Sequence, residues 1–288
     1  MNFILKDYSI DELENFIVEH GFPKYRAQQI YVWLYKQGAT NSIVMRNLPN
    51  DLKLFLDKQC IFETLSLSKK SESNDTIKFL FKTRTGQYIE SVSMIENNRH
   101  TLCLSSQVGC NVDCDFCATG KMGFKQNLSA GEIIDQLLFI KYNIDIPITN
   151  IVFMGMGEPF LNYNNVIKAA DIMNNEKALN IGARRITIST AGVLSKINKF
   201  ITDKLKYNLA ISLNASNDIT RDRLMPINKK WPISDLISVA KNYNKSNRYK
   251  ITFEYVLIDS INDSINDAHR LGILLKNTDC KLNIIPFN

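Results

Sequence analysis

From residue 101 onward, strand-like and helix-like apolar patterns alternate along the chain, and no other feature restricts the possible folds so tightly. Short apolar and β-branched runs at 101–105, 150–154, 185–190, 209–213, 250–258 and 281–286 read as strands. Between them, 130–142, 165–173, 193–202, 233–242 and 264–276 repeat their apolar residues at helical spacing, so every strand but the last is followed by a helix. A crossover helix sets successive strands parallel, and the expectation is therefore an α/β fold: a parallel sheet curled towards a barrel, with its active face at the carboxyl ends of the strands.

The first third of the chain follows a different pattern. Between 9 and 58 the apolar residues recur at helical spacing, as in Leu13, Phe16 and Ile17 and again in Ile30, Trp33 and Leu34, with breaks at Gly21-Phe22-Pro23 and at Gly38. Runs at 76–81 and 88–94, joined by 82–87, read as a β-hairpin. The expected organisation is a small helical module over 1–75, a linking β-hairpin over 76–96 and the α/β core over 97–288, with 69–75 the most linker-like stretch.

Hydrophobic residues make up 45% of the 288, enough for a well-packed core. No uncharged apolar run reaches the roughly 18 residues of a membrane span, and the first residues turn polar too soon for a secretory signal. A cytoplasmic address is expected. The net charge of +6 mildly favours a polyanionic partner.

Of the six cysteines, Cys60, Cys103, Cys110, Cys114, Cys117 and Cys280, four fall between positions 103 and 117. In a reducing cytosol such clustering points to metal or catalysis rather than to disulfides. Cys110, Cys114 and Cys117 form a CxxxCxxC triplet in the loop that follows the first strand of the core. Three thiolates suit an iron-sulfur cluster of four irons with one iron left open to a ligand. Gly109 and Gly120 give that loop conformational freedom, and Phe116 can shield the cluster from water. A structural zinc site completed by Cys103 or His100 is the alternative, but zinc favours closed sites built from paired elements, and the chain offers no second pair.

The wording around the triplet is more specific. The stretches Thr101-Leu-Cys-Leu-Ser-Ser-Gln-Val-Gly-Cys110, Phe153-Met-Gly-Met-Gly-Glu-Pro159, Arg184-Arg-Ile-Thr-Ile-Ser-Thr190, Ala210-Ile-Ser-Leu-Asn214 and Met225-Pro-Ile-Asn-Lys-Lys230 resemble the RlmN family, radical S-adenosylmethionine (SAM) methyltransferases. The resemblance runs over nearly the whole chain, including Gly21-Phe-Pro-Lys-Tyr-Arg26 and Asn47-Leu-Pro49. It implies a partial (β/α)6 radical SAM barrel with an N-terminal RNA-recognition module, and methylation of carbon 2 of adenosine in 23S rRNA and tRNA. It also implies a [4Fe-4S] cluster on the triplet, a second cofactor in SAM, a monomer, and a reducing donor such as flavodoxin.

By the same resemblance SAM is held by Gly157, Glu158, Ser189, Ser212, Leu213, Asn214 and Asn288, each at or just after a strand's carboxyl end. Asn214 stands where the family often has histidine. Cys103, by its chemistry either a small core residue or a nucleophile, becomes catalytic by resemblance, and Glu90 takes the place of the proton acceptor. The family's methyl-carrying cysteine belongs to a segment beyond 288, and neither Cys60 nor Cys280, both expected to pack in the core, matches it; full methyl transfer by these 288 residues alone is not expected. Lys24, Arg26 and Lys36 with Tyr25, Tyr31 and Trp33 suggest phosphate contact and base stacking, against the alternative that the aromatics are core. Two rival readings remain: a Cfr-like methyltransferase acting on carbon 8, and a non-catalytic protein that carries a cluster and binds RNA.

Overall fold

Ser9 starts the first helix, α1 (Ile10–Glu19): its hydroxyl accepts the Glu12 N–H at 3.3 Å while the Glu12 carboxylate accepts the Ser9 N–H at 2.7 Å. Helices α2 (Tyr25–Lys36) and α3 (Asn50–Gln59) follow, and Leu13, Phe16 and Ile17 are buried together with Ile30 and Leu34. The apolar spacing of the sequence thus marks the inward faces. Tyr31 is 1% exposed and sits edge-on to Tyr35 with ring centroids 4.5 Å apart, so it packs the core and offers no stacking surface. Tyr25 remains exposed under the Arg26 guanidinium, Lys24 pairs with Glu14 at 3.1 Å, and the Trp33 indole donates to Asn47 Oδ1 at 2.6 Å.

The computed structural model describes residues 2–246 and 249–287. The chain divides into two compact units: the first takes in residues up to 106 with 127–151 and 164–182, the second 107–126, 152–163 and 183 onward.

In the first unit, the hairpin expected from the sequence is part of a four-stranded antiparallel meander: β1 (Leu65–Ser73), β2 (Thr76–Thr83), β3 (Tyr88–Glu96) and β4 (Arg99–Cys103). The linker-like stretch 69–75 is mostly strand β1 and the turn that ends it. Strand β1 is exposed along nearly its whole length, so it carries no apolar alternation to read and is held by its ladder to β2. Strand β4 pairs antiparallel with β3, a partnership that the parallel reading of the first core strand did not include.

Phe79 and Phe81 of β2 bury against Phe139 of α4 (Ala130–Asn143), with ring centroids 6.2 and 5.2 Å away. Under α4 the buried Asp135 pairs with Lys6 and accepts the Thr64 N–H and hydroxyl at 2.7 and 2.6 Å. A second capping box opens α4, where Ser129 Oγ accepts the Glu132 N–H at 3.2 Å and Glu132 accepts the Ser129 N–H at 2.9 Å. Ser129→Ala is expected to lower the unfolding free energy by ~1 kcal/mol in urea titration, the usual worth of an N-cap.

Strand β5 (Asn150–Phe153) carries the chain into the second unit, and α5 (Tyr163–Asn174) brings it back. The second unit then adds β6 (Ile186–Thr190), α6 (Leu194–Thr202), β7 (Asn208–Ser212), α7 (Asp218–Leu224), α8 (Ile233–Ser246), β8 (Ile251–Leu257), α9 (Ile265–Leu275) and β9 (Cys280–Pro286). Strands β6 to β9 pair in sequence order and are all parallel, as the crossover helices require. The sequence reading left out α7, a two-turn helix too short for a periodic signal. Of the two cysteines expected in the core, Cys60 is buried; Cys280 is only half-buried, because β9 is the outer strand of this ladder. Among the described residues no helix is long and apolar enough to cross a membrane.

Candidate active site

The loop that holds the thiols is closed on itself by backbone hydrogen bonds. Lys125 N–H donates to the Val108 carbonyl at 2.9 Å, Cys117 N–H to that of Cys114 at 3.0 Å, and Asp115 N–H to that of Leu224, at the end of α7, at 2.9 Å. Gly109, at φ +71°, lets the two arms of the loop touch: a Cβ there would lie 1.8 Å from the Gly123 carbonyl oxygen. The loop packs on Leu224, Met225 and Ala191, with Phe116 against that same apolar cluster.

Cys110, Cys114 and Cys117 all line one cavity of about 240 Å³, together with Gly155, Gly157, Glu158, Ser189, Ser212 and Asn214. Burial pushes the Cys114 thiol up to about 12, and the Cys117 and Cys110 thiols and Glu158 push the same way. Cys110 is also raised, first by burial. These thiols therefore hold their protons until a cation displaces them. Among the described residues no three acidic, cysteine or histidine side chains converge as a single ion would need. Three thiols of one loop on a shared cavity are the donor set of an iron-sulfur cluster with one iron left open, whereas a structural zinc site takes four ligands.

Across the cavity, Gly157 takes φ +96° and lies so close to Gln107 that an added Cβ would meet the Gln107 Cβ at 2.4 Å. Gln107 Oε1 accepts the Glu158 N–H at 2.8 Å, which fixes the turn after β5. Glu158 is buried, which raises its carboxyl above the usual range, and its oxygens accept the Ala191 and Phe160 N–H groups at 2.7 and 2.9 Å. Both oxygens are thus engaged with backbone, and a ligand would meet only their remaining lone pairs. Gly157→Ala is expected to lower the unfolding free energy by at least ~1 kcal/mol in urea titration, since alanine is strained at this positive φ and its Cβ would collide with Gln107.

Ser189 stands on β6 and Ser212 at the end of β7, both on the cavity. Leu213 is fully buried and not on the cavity wall, so only its backbone could face a ligand. Asn214 adopts φ +56°, a left-handed conformation that asparagine tolerates. Its Oδ1 accepts the Val256 N–H at 2.9 Å and its carbonyl accepts Asn262 Nδ2 at 2.8 Å, which ties β7 to the loop after β8. Asn288 lies outside the described residues.

Glu90 and Cys103 belong to the first unit. Cys103 pairs with Val92 across β3 and β4, and Glu90 stands two residues before Val92. The two side chains therefore share one face of the meander as diagonal neighbours, at the roughly 7–8 Å typical of such pairs. Cys103 is buried, and Glu90 is half-exposed, 3.3 Å from Lys78 Nζ.

Sequence reasoning missed two charged residues here. Arg221 of α7 is completely buried, with its guanidinium donating to the carbonyls of Leu213, Ala191 and Ser212 at 2.9, 2.8 and 3.0 Å and to Asn228 Oδ1 at 2.9 Å. It clasps the chain just beyond β6 and β7, the two strands that carry Ser189 and Ser212. Glu254 of β8 is buried on the cavity wall, and Asn283 Nδ2 donates to it at 2.6 Å. A lone arginine or an acid in a strand carries no spacing signal, so neither could be singled out.

Residues 104–271 match the Radical SAM superfamily, and residues 3–62 the Ribosomal RNA large subunit methyltransferase N-terminal domain. A dual-specificity RNA methyltransferase RlmN of Geobacter sulfurreducens is 44% identical over 99% of this chain and 78% of its own length. A probable dual-specificity RNA methyltransferase RlmN of Thermoanaerobacter sp. is 43% identical over 99% of this chain and 83% of its own. The crystal structure of a radical SAM methyltransferase from Sphaerobacter thermophilus superposes with a TM-score of 0.95 at 41% identity, covering 99% of this chain and 85% of that one.

Proposed function

Because the chain belongs to the RlmN family of radical SAM RNA methyltransferases, we propose that its cavity houses the radical-generating part of the reaction that methylates carbon 2 of adenosine in 23S rRNA and in tRNA. One observation carries the assignment of its site. Three thiols of one loop and the Gly157-Glu158, Ser189, Ser212 and Asn214 positions of three successive strand ends line a single cavity. In this reading Cys110, Cys114 and Cys117 hold a [4Fe-4S] cluster, and the strand ends hold SAM. Adenine carbon 2 is electron-poor, and the cluster, when bound, supplies the electron whose transfer to SAM opens a radical route to it.

The chain's own residues position and shield. Gly157 lacks a Cβ so that Gln107 can pack against the turn and fix its backbone on the cavity, and Ser189, Ser212 and Asn214 present hydroxyl and amide groups for the polar parts of the ligand. Phe116 and Met225 line the apolar side and limit water. Arg221 keeps the two strand ends in register. Cys103 and Glu90, on one face of the meander, take the roles of thiol and proton acceptor that release the methylated base.

Anaerobic reconstitution with iron and sulfide, followed by incubation with SAM and dithionite, tests this reading. The expected product is 5'-deoxyadenosine, and a reconstituted protein that makes none is not a radical SAM enzyme. Mass spectrometry of the modified nucleoside separates carbon 2 from carbon 8.

A further inference from the structure

Glu254 stands in the middle of a polar row. In the parallel ladder Ser212 of β7 is level with Glu254 of β8, and Glu254 with Asn283 of β9, so the three side chains share the face on which Ser212 and Glu254 line the cavity. The next residues on that face of β8 and β9, Val256 and Ile285, line it too and are apolar. Glu254 is 7% exposed. Asn283 Nδ2 holds its Oε2 at 2.6 Å, while among the described residues Oε1 accepts no hydrogen bond and no lysine or arginine pairs with the carboxylate. A buried acid with one neutral donor costs a fold stability, so packing does not account for Glu254. A ligand that brings donors into the cavity does. Ser212 is placed to act with it: Arg221 holds the Ser212 carbonyl at 3.0 Å, and the hydroxyl has no partner among the described residues.

We propose that Glu254 selects the sugar of SAM: its Oε1, with the Ser212 hydroxyl on the neighbouring strand, binds the adjacent 2' and 3' hydroxyls of the ribose. The inference rests on the radical SAM reading of the cavity. Neighbouring strands lie about 4.8 Å apart, so a hydroxyl and a carboxylate on one rung meet two hydroxyls side by side, whereas an ammonium or the adenine amine offers a single point of contact. An acidic side chain binding ribose hydroxyls is a recurring solution in nucleoside sites. The diol also identifies which nucleoside is meant. Within an RNA strand the 3' oxygen is tied up in a phosphodiester, so of the two adenosine-bearing molecules only SAM brings both hydroxyls free.

The test uses anaerobically reconstituted protein and equilibrium dialysis with S-adenosylhomocysteine, which does not turn over, and with its 2'-deoxy and 3'-deoxy analogues. Wild-type protein is expected to bind the parent roughly tenfold or more tightly than either analogue, because a site built for a hydroxyl is left with an unpaired buried group when it is missing. Glu254→Ala should weaken the parent by about that factor and leave the analogues nearly unchanged, so that the preference disappears. Glu254→Gln keeps the shape but turns one acceptor into a donor, and should show a preference between the two; it decides the matter if Glu254→Ala fails to fold. A wild-type preference retained in either variant overturns the proposal, as does an equal loss for all three ligands. A loss in Glu254→Ala confined to SAM, with S-adenosylhomocysteine unaffected, also overturns it, since Glu254 would then face the sulfonium charge. A wild-type protein that takes up a cluster but binds neither SAM nor S-adenosylhomocysteine would instead remove the radical SAM reading, and the sugar site with it.

Discussion

Cys114→Ala is expected to abolish stable cluster assembly: after anaerobic reconstitution and desalting, iron and sulfide per chain should fall to background, and 5'-deoxyadenosine formation with them. Cys114 is the middle thiol of the loop, on the cavity and partly buried, with its proton held tightly until iron displaces it. Two thiols cannot replace three, because each iron without a thiolate is open to water and to loss. Cys280→Ala is the matched control. That thiol sits on the outer strand β9 and should leave the iron content unchanged. Full iron retention by Cys114→Ala would disprove the ligand assignment, whereas loss in both variants would point to general damage.

Arg221→Met should be the most destabilising single change at the strand ends, lowering the unfolding free energy by on the order of 3 kcal/mol. The buried Leu213 and Ala191 carbonyls and the Asn228 side chain lose a donor that solvent cannot readily replace, and the part-buried Ser212 carbonyl loses one as well. An orphaned buried acceptor costs ~1–3 kcal/mol, and release of the guanidinium from its desolvated site offsets part of the sum. Burial already pulls the Arg221 guanidinium down to about 10. Urea denaturation of the cluster-free protein measures the loss directly. A change below ~1 kcal/mol, the size of an ordinary exposed contact, would show that the clasp is not what holds the strand ends.

The central strands of the second unit were legible because their apolar residues are buried: Ile188 on β6, Leu209 and Ile211 on β7, Phe253 and Tyr255 on β8; β9 was read from its apolar residues although nearly all of it is exposed. Strand β1 was not legible. Its Lys-Lys-Ser-Glu-Ser run is exposed on both sides, and an edge strand with no buried face has nothing in its composition to set it apart from a linker. Tyr31 and Tyr25 show the same limit in another form. Both are tyrosines of one helix, yet one is core and the other exposed, and only the tertiary packing, in which Tyr31 meets Tyr35, separates them.

The site divides along the same line. Three thiols within eight residues and the Met-Gly-Met-Gly-Glu-Pro turn are local patterns, and their chemistry follows from spacing alone, because neighbouring residues on one loop are held close by the chain itself. The rest depends on groups far apart in sequence. Gln107 pins Gly157 and Glu158 across some fifty positions, Glu158 reaches Ala191, and Arg221 draws Ala191, Ser212 and Leu213 to one buried charge. Such partners are chosen by the parallel ladder and its crossover helices. Burial then makes each of those hydrogen bonds obligatory, and no local stretch of sequence records which group will answer it.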